Sequence, residues 1–175
     1  LNTLLAFYYG SHPDDQGRRL AEILRQDDLW LEQTHDYIQW LFPLSESSRV
    51  VPGAPILDSL TIKQFRSDQL LQDHLLASFH RMLGFLGLKF DGAIVSKSEN
   101  WPDRKGEWFS EPTHNLLRIT RVLKSLRILG LEKESLAFHN GLSTLIATEP
   151  DCAVPEKTKA FWREAIKPAP VKFQR

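Results

Sequence analysis

The sequence predicts an all-α, single-domain protein of five to seven helices joined by long loops. Three observations lead there. Apolar residues recur at three- and four-residue spacing in several stretches, convincing strand alternation is missing, and Gly or Pro stands where most of the periodic stretches stop. A chain of 175 residues with 42% hydrophobic and 25% charged residues suits one hydrophobic core, expected over residues 1–167 with a loose tail at 168–175.

The first helix expected runs from Arg18 to Gln26, with Leu20, Ile23 and Leu24 on one face and Asp14 or Asp15 as its cap. A second spans 35–41. Thr34 is its expected cap, and Pro43 ends it by forcing Phe42 out of the helical region. At about 100° per residue, His35, Asp36 and Gln39 share a polar wedge while Tyr37, Ile38, Trp40 and Leu41 cover the rest, so this helix is buried on most sides. Residues 45–59 hold Ser45, Ser47, Ser48, Pro52, Gly53 and Pro55 and read as a loop. Thr61 and Gln64 form a capping box, with a hydrophobic staple from Leu60 to Phe65.

Ser67 is expected to cap the main core helix, whose stripe of Leu71, Leu75, Phe79, Met82, Leu83 and Leu86 ends at Gly87. From Lys89 to Pro112 the periodicity dissolves, leaving either a functional loop or a short hairpin around Ala93-Ile94-Val95. Thr113 then caps a helix over 116–129 that stops at Gly130. Another follows over 133–147, and a last one starts at Pro155, carries Phe161, Trp162 and Ile166, and ends before Pro168. The 68–86 and 114–129 helices are expected at the centre.

Charge and composition narrow the chemistry. Twenty-two basic residues balance twenty-two acidic ones, so no global field attracts nucleic acid or an anionic membrane. The single cysteine, Cys152, leaves no intrachain disulfide or cysteine-based zinc cluster and fits a reducing compartment; its neighbour Asp151 opposes thiolate formation. No apolar run approaches the roughly 20 residues of a membrane span, and nothing near Leu1 resembles a signal peptide, so a cytoplasmic protein is expected. Gly-rich phosphate loops, Gly-x-Ser-x-Gly elbows and His-Glu-x-x-His motifs are missing from the sequence.

Two clusters could carry function. On the 114–129 helix, His114, Arg118, Arg121 and Ser125 lie opposite the apolar stripe with Lys124 alongside, a basic ridge that is either a solvated face or a dock for carboxylate or phosphate. His35-Asp36 is the dipeptide that metal-dependent phosphohydrolases use, with His12 as a further ligand; the competing reading is a structural bond from His35 to Gln39 or a backbone carbonyl. Trp101 and Trp108 could stack on nucleic-acid bases, but without a basic stripe in their loop they read as core.

The stretches His35-Asp36-Tyr37-Ile38-Gln39-Trp40-Leu41-Phe42-Pro43-Leu44 and His114-Asn115-Leu116-Leu117-Arg118-Ile119-Thr120-Arg121-Val122-Leu123-Lys124-Ser125-Leu126 resemble the two signatures of the opioid growth factor receptor conserved domain. Leu60 to Phe65, Met82 to Gly87, Asn100-Trp101 and Leu129 to Glu132 add to the resemblance, which runs from Phe7 to Ile166 and is poor over 132–150. Its length resembles that of compact bacterial relatives.

The resemblance implies a mostly helical fold and a role like that of the animal members, nuclear-associated receptors for an enkephalin pentapeptide. It brings no residue-level ligand site with it. The expectation is a non-enzymatic module, without metal or cofactor, that binds a short peptide or an acidic segment of a partner protein; nucleic acid is the competing ligand. The candidate residues are His35, Tyr37, Gln39 and Trp40 from the first signature, His114, Asn115, Arg118, Arg121, Lys124 and Ser125 from the second, and Trp101 from the loop between. Tyr37, Trp40 and Trp101 are expected to wall the cleft, and replacing Arg118 or Arg121 by Ala is expected to weaken binding without disturbing the fold.

Overall fold

The computed structural model describes residues 2–168, so the tail expected at 168–175 lies outside the described residues except for Pro168. Ten α-helices and one two-stranded sheet occur among them, more and shorter helices than the five to seven expected. The chain opens with α1 (Thr3–Tyr8), α2 (Leu20–Leu24), α3 (Asp28–Gln33) and α4 (Ile38–Leu41), each two turns or fewer. Periodicity has little to act on over four to six residues, which is why α1 and α3 escape the sequence pattern.

Several caps differ from expectation. Asp14 does not cap α2; its carboxylate receives the Arg18 side chain at 2.7 Å, and the Arg19 N–H donates instead to Glu22. Thr34 closes α3 rather than opening α4, leaving His35 and Asp36 in the bend between them. Helix α5 (Ser59–Ser67) is capped by Asp58, which accepts from the Thr61 N–H at 2.7 Å, while the Thr61 hydroxyl is buried and accepts from Asn2. Leu60 is 77% exposed, so no staple reaches Phe65. Asp68, not Ser67, caps α6 (Gln69–Leu86), and Gly87 ends it at φ 81°, the left-handed stop expected there.

The 89–112 stretch, either loop or hairpin by sequence, is the hairpin, continued by a helical turn. Strands β1 (Leu88–Phe90) and β2 (Val95–Lys97) pair antiparallel, followed by α7 (Trp101–Arg104) and a 3₁₀ turn over Lys105–Glu107. Trp101 and Trp108 are buried edge to face with Phe109, and the Trp108 indole donates to the Leu86 carbonyl at 2.9 Å. This is the core packing expected of both tryptophans.

Helices α8 (Asn115–Ile128), α9 (Glu132–Thr148) and α10 (Glu156–Ala165) complete the fold. α8 packs on both α9 and α10, and α6 on α5 and the hairpin. Hydrogen bonds fix these contacts: Ser135 to the Leu123 carbonyl, Trp162 to that of Leu116, and Gln72 to those of Phe65 and Leu129. The last ties the start of α6 to the end of α8. Among the described residues no helix is long and apolar enough to cross a membrane.

Candidate functional site

The site grows out of how α8 meets the 31–43 segment. α3 and the single turn of α4 are so short that the carbonyls of Leu31, Thr34, Phe42 and Pro43 receive no backbone N–H among the described residues. Buried carbonyls need donors, and α8 supplies them from one face. Arg118 donates to Leu31 and Thr34 at 2.8 Å each, Arg121 to Phe42 at 2.9 Å, and Ser125 to Pro43 at 2.9 Å.

The basic ridge therefore does not stand opposite the apolar stripe. Ser125 is fully buried and Arg118 is 5% exposed, with further contacts from its guanidinium to the Tyr37 hydroxyl, Asn115 Oδ1 and His35 Nδ1 at 3.3 Å. Arginine can only donate, so His35 Nδ1 is the acceptor. The guanidinium also lies over the rings of Tyr37 and Phe85. Arg118 is a strap between two chain segments, not a free fork.

Asn115 is likewise buried, its amide donating to Glu32 and the Glu107 carbonyl at 3.0 Å. Tyr37 donates to the Leu31 carbonyl at 3.0 Å, and burial, only partly offset by the Arg118 charge, pushes its hydroxyl up to about 12. Trp40 packs on Phe7 and borders a separate hollow near Asn2 and Ile56. The expected cleft walled by Tyr37, Trp40 and Trp101 does not form, because all three lie in the core.

A different groove does form, of about 580 Å³, between α4, the 44–50 loop, α8 and α10. Of the candidate residues it brings together His35, Gln39, His114, Arg118, Arg121 and Lys124; Tyr37, Trp40, Trp101, Asn115 and Ser125 do not border it. The sequence reading missed the loop residues Glu46, Arg49 and Val50, and Phe161 of α10. Phe161 is half exposed on a short helix whose next residue, Trp162, is buried.

Glu46 is the one carboxylate on this lining among the described residues, against Arg49, Arg118, Arg121 and Lys124. Lys124 reaches it at 3.4 Å. Burial lowers the pKa of Arg121, with Glu46 giving partial relief. His114 and His35 meet edge to face at 5.1 Å between ring centroids. Although His114 Nε2 lies 3.3 Å from Glu32, burial and then the Arg118 charge outweigh that carboxylate and hold the His114 pKa below its ordinary value. At the rim, Leu117 is 68% exposed and Val50 and Phe161 also face solvent.

The His35-Asp36 pair is not arranged around a shared point. Asp36 receives Arg18 at 2.8 Å while His35 turns to Arg118 and His114, and no three His, Cys, Asp or Glu side chains gather as a metal set among the described residues.

The profile of the opioid growth factor receptor conserved region matches residues 4–150, most of the chain and both signature stretches. The chain belongs to the opioid growth factor receptor family. The match includes 132–150, where the resemblance was expected to be poor, and stops short of α10. Residues 4–150 thus supply all of the groove except Phe161.

The human opioid growth factor receptor is 41% identical over 107 residues, which is 58% of this chain and 15% of that protein. Opioid growth factor receptor-like protein 1 is 37% identical over 134 residues in both mouse and Xenopus tropicalis, covering 73% of this chain and 28% and 26% of those proteins. The chain thus spans well under a third of these curated relatives. No solved structure matches it.

Proposed function

We propose that the chain is a non-enzymatic peptide- or protein-binding module whose ligand lies in the groove between α4, the 44–50 loop, α8 and α10. One observation supports it above the others: in a chain of equal basic and acidic count, this lining sets four cations against Glu46 alone, beside the exposed side chains of Leu117, Val50 and Phe161. A ligand carrying an anionic group and an apolar side chain answers both features. Relatives bearing the name receptor agree with a ligand-binding role. The apolar rim favours peptide over nucleic acid, whose backbone has nothing to bury against Leu117 and Val50.

Calorimetric titration with an enkephalin-type pentapeptide, an acidic peptide and a short RNA, each at two salt concentrations, tests this reading. Saturable peptide binding that Arg121→Gln weakens roughly tenfold is expected. RNA binding that falls steeply with salt, with no peptide binding, would replace it by the nucleic-acid reading. Absence of binding by all three would remove it.

A further inference from the structure

We propose that the groove recognises the free carboxyl terminus of its peptide, with Arg121 taking the terminal carboxylate and Gln39 the N–H of the same residue. The inference rests on the groove being the peptide site. Gln39 is 5% exposed and borders the groove, and its side-chain oxygen is buried without a hydrogen-bond partner among the described residues. A buried carbonyl left without a donor is costly, and native structures rarely leave one so. Of the α8 arginines on the same lining, Arg118 is engaged with Leu31 and Thr34, and Arg121 through one N–H with Phe42. A ligand N–H lying in the groove would supply the missing donor.

Phe42 lies three residues beyond Gln39, so the short segment that carries this unpartnered acceptor also anchors Arg121. An acceptor and a cation bordering the same groove suit a ligand that carries an N–H close to an anion. A chain's last residue does so, because its N–H and carboxylate flank one carbon. Its side chain then remains free for the apolar rim at Leu117. An internal Asp or Glu spends its side chain on the carboxylate and leaves nothing for that rim, and a phosphodiester offers no N–H.

The experiment uses N-acetylated hexapeptides with the last three positions randomised, presented as free acids and as C-terminal amides to the whole chain. The best acids should bind at least roughly tenfold tighter than their amides, and Arg121→Gln should abolish that preference. Methylating the last amide nitrogen should weaken binding to the wild type by several-fold and leave binding to Gln39→Leu unchanged, because that variant already lacks the acceptor. Gln39→Leu should keep or raise Tm, since it replaces an unpartnered polar group by an apolar one. Should it fail to fold, the methylated peptide on the wild type still tests Gln39. Equal binding of acids and amides overturns this inference and leaves peptide binding standing. Indifference to methylation removes Gln39 from it, and silence from every peptide in both forms overturns the peptide site as well.

Discussion

Arg118 Nη1 donates to the carbonyl of Leu31 across 87 residues of sequence, 2.8 Å away and buried. The same guanidinium satisfies Thr34, so one side chain closes the bend between α3 and α4 onto α8. Truncating it leaves the Thr34 carbonyl without a donor and that of Leu31 with the Tyr37 hydroxyl alone, and opens a void beside Tyr37 and Phe85. Arg118→Ala should therefore destabilise the protein by about 3 kcal/mol, read as a lower midpoint in urea with little change in m. A loss below about 0.5 kcal/mol would show that the strap is dispensable.

A second stability test lies at Gly141, in the middle of α9. A Cβ there would meet the Val95 carbonyl oxygen at 2.6 Å and the Val95 Cβ at 2.9 Å. The glycine lets the hairpin lie against α9, and the neighbour in the way is backbone. Gly141→Ala should cost about 1 to 3 kcal/mol, although alanine is the better helix former. A stabilised variant would mean that the hairpin moves aside without cost.

These two residues also mark what was legible in the sequence. The apolar stripes of α6 and α8 and the stop at Gly87 follow from local spacing, and the structure has them where expected. Caps were legible only to within a few residues: Asp58 and Asp68 take the capping roles expected of Thr61 and Ser67, accepting from the Thr61 and Leu70 N–H groups, since aspartate caps a helix at least as well as a hydroxyl does. The polar face of α8 was misread for a different reason. Arg118 and Ser125 look solvent-facing by periodicity, yet they meet acceptors on segments roughly 80 residues away, and helical spacing carries no information about those. The groove inherits the same difficulty, because the 44–50 loop and Phe161 reach it by tertiary packing alone.

His114 makes stability depend on pH. Its pKa is lowered in the fold, chiefly by burial and then by Arg118, and that of His139 is lowered chiefly by burial and then by Arg163. As pH falls through the ordinary value of 6.5, the unfolded chain takes up protons that the folded chain resists, so stability declines. Above that value the effect vanishes. Melting curves at about pH 7.5 and about pH 5.5 should show a drop in Tm for the wild type that is smaller in His114→Gln. An equal drop in the two proteins would mean that His114 contributes nothing to it.

Arg121 sits three residues from Arg118 on the same helix, and the two should behave oppositely. Among the described residues Arg118 is engaged with Leu31, Thr34 and side chains around them, whereas Arg121 makes one hydrogen bond, to Phe42, and borders a groove short of carboxylates. Removing Arg121 forfeits that bond but also relieves a cation whose pKa burial already lowers, and the two effects oppose each other. Arg121→Met should therefore change stability by less than about 1 kcal/mol, while binding of a free-acid peptide falls roughly tenfold or more. Lys124→Met, which removes the 3.4 Å contact with the exposed Glu46, should leave stability unchanged and lower peptide affinity only modestly, by an amount that shrinks as salt is added. Denaturant melts and titrations of the three variants side by side decide the matter. If Arg121→Met unfolds as readily as Arg118→Ala, both arginines are structural, and the groove loses the cation on which its peptide reading depends.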